Sequence, residues 1–208
     1  MRLASALLVL VSLGAMGAAP IIAASTAPER VPNAASAAAM DDLDAVMSLL
    51  AMRRHGRAEF IDQQFLAILD HPVESSGELR YDAPDRLEKR TLLPKQETLL
   101  LAGGVLTTER GQHRRVLDLH RYPQILPFVE SIRATLAGDR AALERVFRIE
   151  FTGSVERWSL TLVPVDQEMT RTVKQVQIDG SRDQLHHVEI RQADGDRSLM
   201  TLRASAAP

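Results

Sequence analysis

This 208-residue sequence predicts a mainly β fold, an antiparallel meander with helices over one face. Three observations carry the prediction. Short apolar–polar alternations recur along most of the chain. Turn dipeptides separate them, at Gly103-Gly104, Asp179-Gly180 and Asp194-Gly195. Two stretches switch to helical spacing, one before the first strand and one midway.

The first helical stretch runs from Met40 to Arg54, with Leu43, Val46, Met47 and Leu50 on one face. Asp41, Asp42 and Asp44 near its start and Arg53, Arg54 and His55 near its end suit the helix dipole. Gly56 is the expected C′ residue. Glu59 to Leu69 reads as a strand carrying a bulge or bend, because Phe60 and Phe65 fall on opposite faces of a regular strand. Pro72 closes it. Val73 to Asp82 follows, with Leu79 and Tyr81 alternating with charges before Ala83-Pro84-Asp85, and Leu87 opens the next run. Thr98 to Ala102 and Val105 to Thr107 flank Gly103-Gly104, whose access to positive φ suits a tight hairpin. Gln112 to Leu119 continues the meander, with Val116 and Leu117 as inward-facing candidates.

The pattern changes at Pro123. Ile125, Phe128, Val129, Ile132 and Leu136 recur at helical spacing, Gly138 stops the helix, and Asp139 can cap a short second one from Arg140 to Val146. The sheet resumes at Phe147 with Ile149 and Phe151, and Gly153-Ser154 offers a turn. Trp158, Leu160 and Leu162 alternate with Ser159 and Thr161 up to Pro164. Val176 and Ile178, Val188 and Ile190, and Leu199 to Leu202 supply the closing strands, about eleven in all.

Composition narrows the function. Twenty-five basic and twenty-seven acidic residues are interspersed, for a formal charge of -2. No concentrated basic face marks a nucleic-acid binder. Cysteine is absent, which removes disulfides, thiol catalysis, thiolate metal sites and lipid attachment at an amino-terminal Cys. Residues 1–24 have the layout of a secretory signal peptide, Met1-Arg2 and then the uncharged Leu3 to Gly17. Cleavage fits after Ala15-Met16-Gly17 or near Ala23-Ala24. The uncharged run through Thr26 is also long enough for a retained anchor, but Gly14, Gly17 and Pro20 break it and favour cleavage. Residues 25–39, rich in Ala, Ser and Pro, read as a flexible linker, and 40–208 as one exported domain.

Catalytic chemistry has little to stand on. His186 and His187 are adjacent in a strand and point to opposite faces. His113, Asp118 and His120 are the nearest thing to a constellation, with Asp118 and His120 sharing a face, and read as solvated polar residues. Gly-x-Ser-x-Gly, His-Glu-x-x-His and phosphate-cradling Gly loops do not occur. The expectation is a protein that is no enzyme, with no metal site and no cofactor.

Several features in order resemble a known family. They are a leader and amphipathic helix, Phe60 with Gln63, Gly77-Glu78-Leu79 leading to Pro84 and Leu87, and the turn Ala102-Gly103-Gly104. The helical insertion, the Trp158 to Pro164 strand and the strands around Asp194-Gly195 follow. The order and spacing over Met40 to Leu202 resemble the periplasmic outer-membrane lipoprotein carriers of the LolA type and their LolB-type relatives. The absence of Cys sets the chain apart from LolB-type proteins, which are themselves lipidated.

The resemblance implies an incomplete, half-open antiparallel barrel with a helical lid over an apolar cavity that accepts acyl chains. Leu79, Tyr81, Leu87, Leu99, Leu101, Trp158, Leu160, Leu162, Val176 and Ile178 would line its sheet side, and Ile125, Phe128, Val129 and Ile132 its lid. It further implies a monomeric carrier that takes lipoprotein acyl chains or another lipid from an inner-membrane export complex to an outer-membrane acceptor. Cargo of a glycolipid or polyene type serving a dedicated exporter, and a lipid-sensing adaptor on the same fold, are the alternatives. In the family an Arg just before the Pro helps latch the lid. Here Ala83 stands in its place, with Arg80 and Arg86 nearby, which implies a weaker latch. On residue pattern alone, an ordinary core beneath helices is the favoured reading of the apolar alternation, and only the resemblance lifts the cavity above it.

Overall fold

The computed structural model describes residues 34–122 and 126–205, except for the side chains of 34–39, 126–128, 130 and 131. Eleven strands form one antiparallel sheet in the order β6-β5-β4-β3-β2-β1-β11-β10-β9-β8-β7. The strands are β1 (His55–Phe65), β2 (Val73–Asp82), β3 (Arg86–Leu93), β4 (Glu97–Ala102), β5 (Val105–Arg110) and β6 (His113–Asp118). After the insertion come β7 (Phe147–Ser154), β8 (Arg157–Pro164), β9 (Val173–Ser181), β10 (Gln184–Gln192) and β11 (Arg197–Ala204). The sheet does not close: β6 and β7 are its two free edges.

That topology makes the lid. The chain leaves β6 at one edge, passes the 3-10 turn Leu119–Arg121, α2 (Leu126–Leu136) and α3 (Arg140–Glu144), and enters β7 at the other edge. Consecutive edge strands can be joined only by crossing a face, and the apolar face is the one that gains from cover. α1 (Ala34–Met52) precedes the central strand and buries Leu43, Val46, Met47 and Leu50 in the core. A short α4 (Gln167–Thr170) between β8 and β9 adds Met169.

Several local expectations change. α1 begins at Ala34, inside the stretch read as linker, because Ala is the strongest helix former. It ends at Met52, so Gly56 is no C′ residue but lies in β1 opposite Tyr81. β1 pairs with β2 and β11 without a bulge; Phe60 and Phe65 do take opposite faces, and Leu66–Leu69 form a turn that leaves Ile68 exposed. Gly153-Ser154 and Asp179-Gly180 lie within strands, and the turns fall one or two residues later, at Val155-Glu156 and Arg182-Asp183. The reason is Trp158: Gly153 and Gly180 are its cross-strand partners, and a Cβ on Gly180 would overlap the indole. Leu117 packs against the core, whereas Val116 is exposed.

Other expectations hold. Gly103 and Gly104 take φ of 56° and 72° in the β4–β5 hairpin, and Gly195 turns β10 into β11. Asp139 caps α3, its Oδ1 accepting from the Ala142 amide at 2.9 Å.

Candidate functional site

The concave face of the sheet divides into a filled part and a hollow part. The filled part lies toward the β7 edge, where α1, α3 and α4 press Leu143, Phe147, Trp158, Leu160 and Met169 into a packed cluster. The hollow part lies between α2 and the strands from β4 across β1 to β9, and holds a half-open cavity of about 270 Å³.

One wall comes from β2, β3 and β4, through Leu79, Tyr81, Leu87, Leu99 and Leu101, with Leu106 of β5 behind them. Alternation explains the set. Gly56 faces Tyr81, Ala58 faces Leu79, and Leu79 faces Lys89 in register, so one face of each strand contributes. The other wall comes from Leu162, Val176, Ile178, Val188, Ile190, Met200 and Leu202. The roof is Leu50 of α1 with Val129, Ile132 and Leu136 of α2.

Trp158 and Leu160 do not border the cavity. They are 2% and 1% exposed in the filled part, and the Trp158 indole Nε1–H donates to the Arg182 carbonyl at 3.0 Å. The alternation places them on the correct face, but α1 covers that end of the sheet. Ile125 and the side chain of Phe128 lie outside the described residues. Val188, Ile190, Met200 and Leu202 were legible as strand residues, yet nothing local says that the strands either side of β1 share one cavity. That follows from the β1–β11 pairing.

Polar groups sit at both ends. At one, the Arg53 guanidinium donates to the Asp183 carbonyl at 2.7 Å and holds the end of α1 to the β9–β10 turn. At the other, Lys89 reaches the fully buried Asp62 at 2.9 Å, and the Ser198 hydroxyl donates to the same carboxylate at 3.1 Å. Both were missed in the sequence. The available signal was that Asp62 shares a strand face with Phe60, and Lys89 with Leu87. Burial pushes the Tyr81 hydroxyl above its ordinary range, against a smaller lowering by the Arg133 cation, and its O–H donates to the Pro84 carbonyl at 3.3 Å.

The residues near the absent family Arg do not replace it. Arg80 pairs with Asp82 at 3.0 Å, Arg86 donates to Glu88 at 3.4 Å and lies 4.0 Å from Asp82, and the Ala83 amide donates to the Arg54 carbonyl. The insertion is instead tied to α1. Arg140 of α3 pairs with Asp44 at 2.6 Å, and Gly138, at φ 64°, lies so close that a Cβ would overlap the Met47 carbonyl oxygen. The hydrogen bond to Asp44, then that to Glu144, raises Arg140 above the ordinary guanidinium range.

The histidines are dispersed over the fold, and His55 Nδ1 lies 3.0 Å from Asp82. His120 Nδ1 lies 3.1 Å from Asp118, which caps the 3-10 turn, while His113 is at the opposite end of β6. His186 bonds to Ser181 at 2.6 Å. Among the described residues no group of three or more His, Asp or Glu could hold a metal ion.

A family profile described as "Outer membrane lipoprotein carrier protein LolA-like" matches residues 34–208. The chain belongs to this LolA-like family. Members are lipid- or lipoprotein-binding proteins of the periplasm. Solved structures similar to the chain include a LolA superfamily protein from Nitrosomonas europaea, at 10% identity and a TM-score of 0.40, covering 82% of this chain and 95% of that one. A chain of the Pseudomonas aeruginosa MucA/MucB complex matches at 15% identity and 0.45, covering 82% and 58%. LprF from Mycobacterium bovis matches at 11% identity and 0.34, covering 82% and 93%. No curated protein sequence matches.

Proposed function

We propose that this LolA-like protein is a periplasmic carrier that shelters acyl chains of lipoproteins, or of a related lipid, between its sheet and α2, and moves them toward the outer membrane. The observation that supports this most is the half-open apolar cavity itself. At about 270 Å³ it lies close to the lower end of the ~300–1,000 Å³ range of small-molecule pockets. An ordinary core would be filled at interior packing density, whereas this sheet face is left partly hollow beneath α2. Each methylene moved from water into such a site is favourable by ~0.8 kcal/mol, so a single chain is held strongly by non-directional contact.

Leu79, Tyr81, Leu87, Leu99, Leu101, Leu162, Val176 and Ile178 would meet the chain from the sheet, and Val129 and Ile132 from the lid. Release needs the lid to move, and its ties to α1, Arg140 to Asp44 and the Gly138 contact, are the parts that would hinge or yield. On this reading residues 1–24 are a cleaved leader, the donor is an inner-membrane export complex and the acceptor lies at the outer membrane. No step calls for catalysis.

The test is titration of the exported form with a fluorescent acyl probe. Saturable binding that Leu99→Phe weakens at least ~10-fold, by filling the cavity, is expected. Absence of saturable binding would reject the carrier reading. The mass of the exported form reports whether residues 1–24 are removed, and lipid that co-purifies identifies the cargo.

A further inference from the structure

The Lys89–Asp62–Ser198 cluster is out of keeping with its surroundings. Lys89 is among the residues lining the cavity, and its register partners Leu79 and Leu99 line it too, as does Met200 opposite Asp62. Stability does not call for an ion pair here. Burying two charges costs several kcal/mol each before pairing returns anything, and apolar replacements of buried pairs are often neutral or better. The residue type is also unusual for this chain. It holds twenty-two arginines and three lysines, and Lys95 and Lys174 are exposed, so Lys89 is the one lysine turned inward.

The geometry leaves Lys89 with unused capacity. An ammonium carries three donors. One goes to Asp62 Oδ2 at 2.9 Å, and the Nζ stands over the Phe60 ring, 4.7 Å from its centroid. The position of β2 opposite Phe60 is Gly77, which puts no side chain in the path from β3 to β1. Asp62 has both oxygens engaged, Oδ2 with Lys89 and Oδ1 with the Ser198 hydroxyl, so the carboxylate fixes the ammonium rather than competing for cargo. The Lys89 side chain is 16% exposed, and Asp62 0%. The cluster lies six residues along β1 from Gly56, where the Arg53–Asp183 tie closes the other end, roughly 20 Å away.

We infer that Lys89, oriented by Asp62 and Ser198, is a cargo-binding residue that donates a hydrogen bond to the carbonyl oxygen of an acyl group whose hydrocarbon tail fills the cavity. Asp62 and Ser198 are positioning residues. The inference rests on the carrier reading and adds a preference to it. A hydrocarbon tail gains only from burial and cannot be told from another of equal length, whereas a charge-assisted hydrogen bond in an apolar site distinguishes an acyl carbonyl from a plain alkyl end. The carbonyl can belong to an ester, an amide or a free carboxylate, which share this acceptor.

The test compares three fluorescent polyene probes on the whole exported protein: cis-parinaric acid, its methyl ester, and diphenylhexatriene, which has no oxygen. The variants are Lys89→Arg and the double variant Lys89→Met with Asp62→Asn. The double variant removes both charges together, and the amide at position 62 can still bond Ser198. The expected result is loss of about tenfold in affinity for the acid and the ester in the double variant, equivalent to ~1.4 kcal/mol. Binding of the hydrocarbon should not change, and Lys89→Arg should retain most of the preference. A loss confined to the acid would show that charge alone is read, and would overturn the carbonyl assignment. Equal loss for all three probes, or none, would overturn it as well. If the double variant does not fold, wild-type protein displaced by saturated fatty acid, methyl ester and alkane of one length decides. Equal displacement overturns the inference while leaving the carrier reading in place. Failure of every probe to bind rejects the carrier reading and this inference with it.

Discussion

The two wings of the sheet are built from the same alternation and finish as different materials. Toward the β7 edge, Phe147, Trp158, Leu160 and Val173 are all nearly inaccessible to solvent, in the core cluster that also holds residues of α1, α3 and α4. On the β2 to β5 side every residue of β4 is half-buried, and only Gly77, Tyr81 and Leu106 pass into the interior. Hydrophobicity does not separate the wings: Leu99 to Leu101 are as apolar as Leu160 and Leu162. Helix coverage separates them. One wing is a core, and the other is a wall facing the space beneath α2.

The sharpest contrast should come from truncation. Trp158→Ala is expected to cost ~3–5 kcal/mol in urea unfolding, since it removes the largest fully buried side chain. Leu99→Ala, at a site already facing empty space, should cost well under ~2 kcal/mol. Equal costs would mean that the hollow wing is packed in solution.

Two glycines make the next comparison. Gly138→Ala forces a Cβ against the Met47 carbonyl at positive φ and should cost more than ~2 kcal/mol, loosening the insertion from α1. Gly103→Ala, also at positive φ but with open space around it, should cost only ~1 kcal/mol. Thermal unfolding of the pair checks this.

Overpacking gives a smaller but more diagnostic effect. Leu160→Phe should cost ~1–3 kcal/mol, because no room exists for the ring. Leu99→Phe should leave stability near the wild-type value while weakening acyl-probe binding. A Leu99→Phe protein that binds the probe normally would place the cargo elsewhere.

Acid should act least, and on the hollow wing. Asp82 is held below the usual carboxylate range first by its hydrogen bond from His55, and Asp118 by that from His120. A depressed carboxylate contributes stability above its unfolded pKa of about 3.9 and loses it as pH falls through the lower folded value. Amide exchange at the ends of β2 and β6, corrected for its intrinsic pH dependence, should therefore quicken as pH falls below about 4, ahead of β8 and β9. Uniform quickening across both wings would count against local control by these two residues.

Residue pattern was enough for the strand count, the helical interruption, the Gly103-Gly104 hairpin and the Asp139 cap, because each depends on residues within a turn or two of one another. It was also enough to show which residues could face inward, since alternation has period two. Which inward residues are core and which are cavity wall came from packing alone. Trp158 and Leu99 carry the same local signal, and their difference lies in the cover given by α1, an element remote from both in the chain. Gly153 and Gly180 show the same limit. Local rules read them as turns, but they border the Trp158 indole through cross-strand pairing that no window of sequence contains. The Lys89–Asp62 pair spans three strands, and Ser198 joins it from the far end of the chain through the β1–β11 ladder. One cause underlies all three cases. Alternation fixes the direction of a side chain, whereas what it meets there is set by pairing and coverage between distant segments.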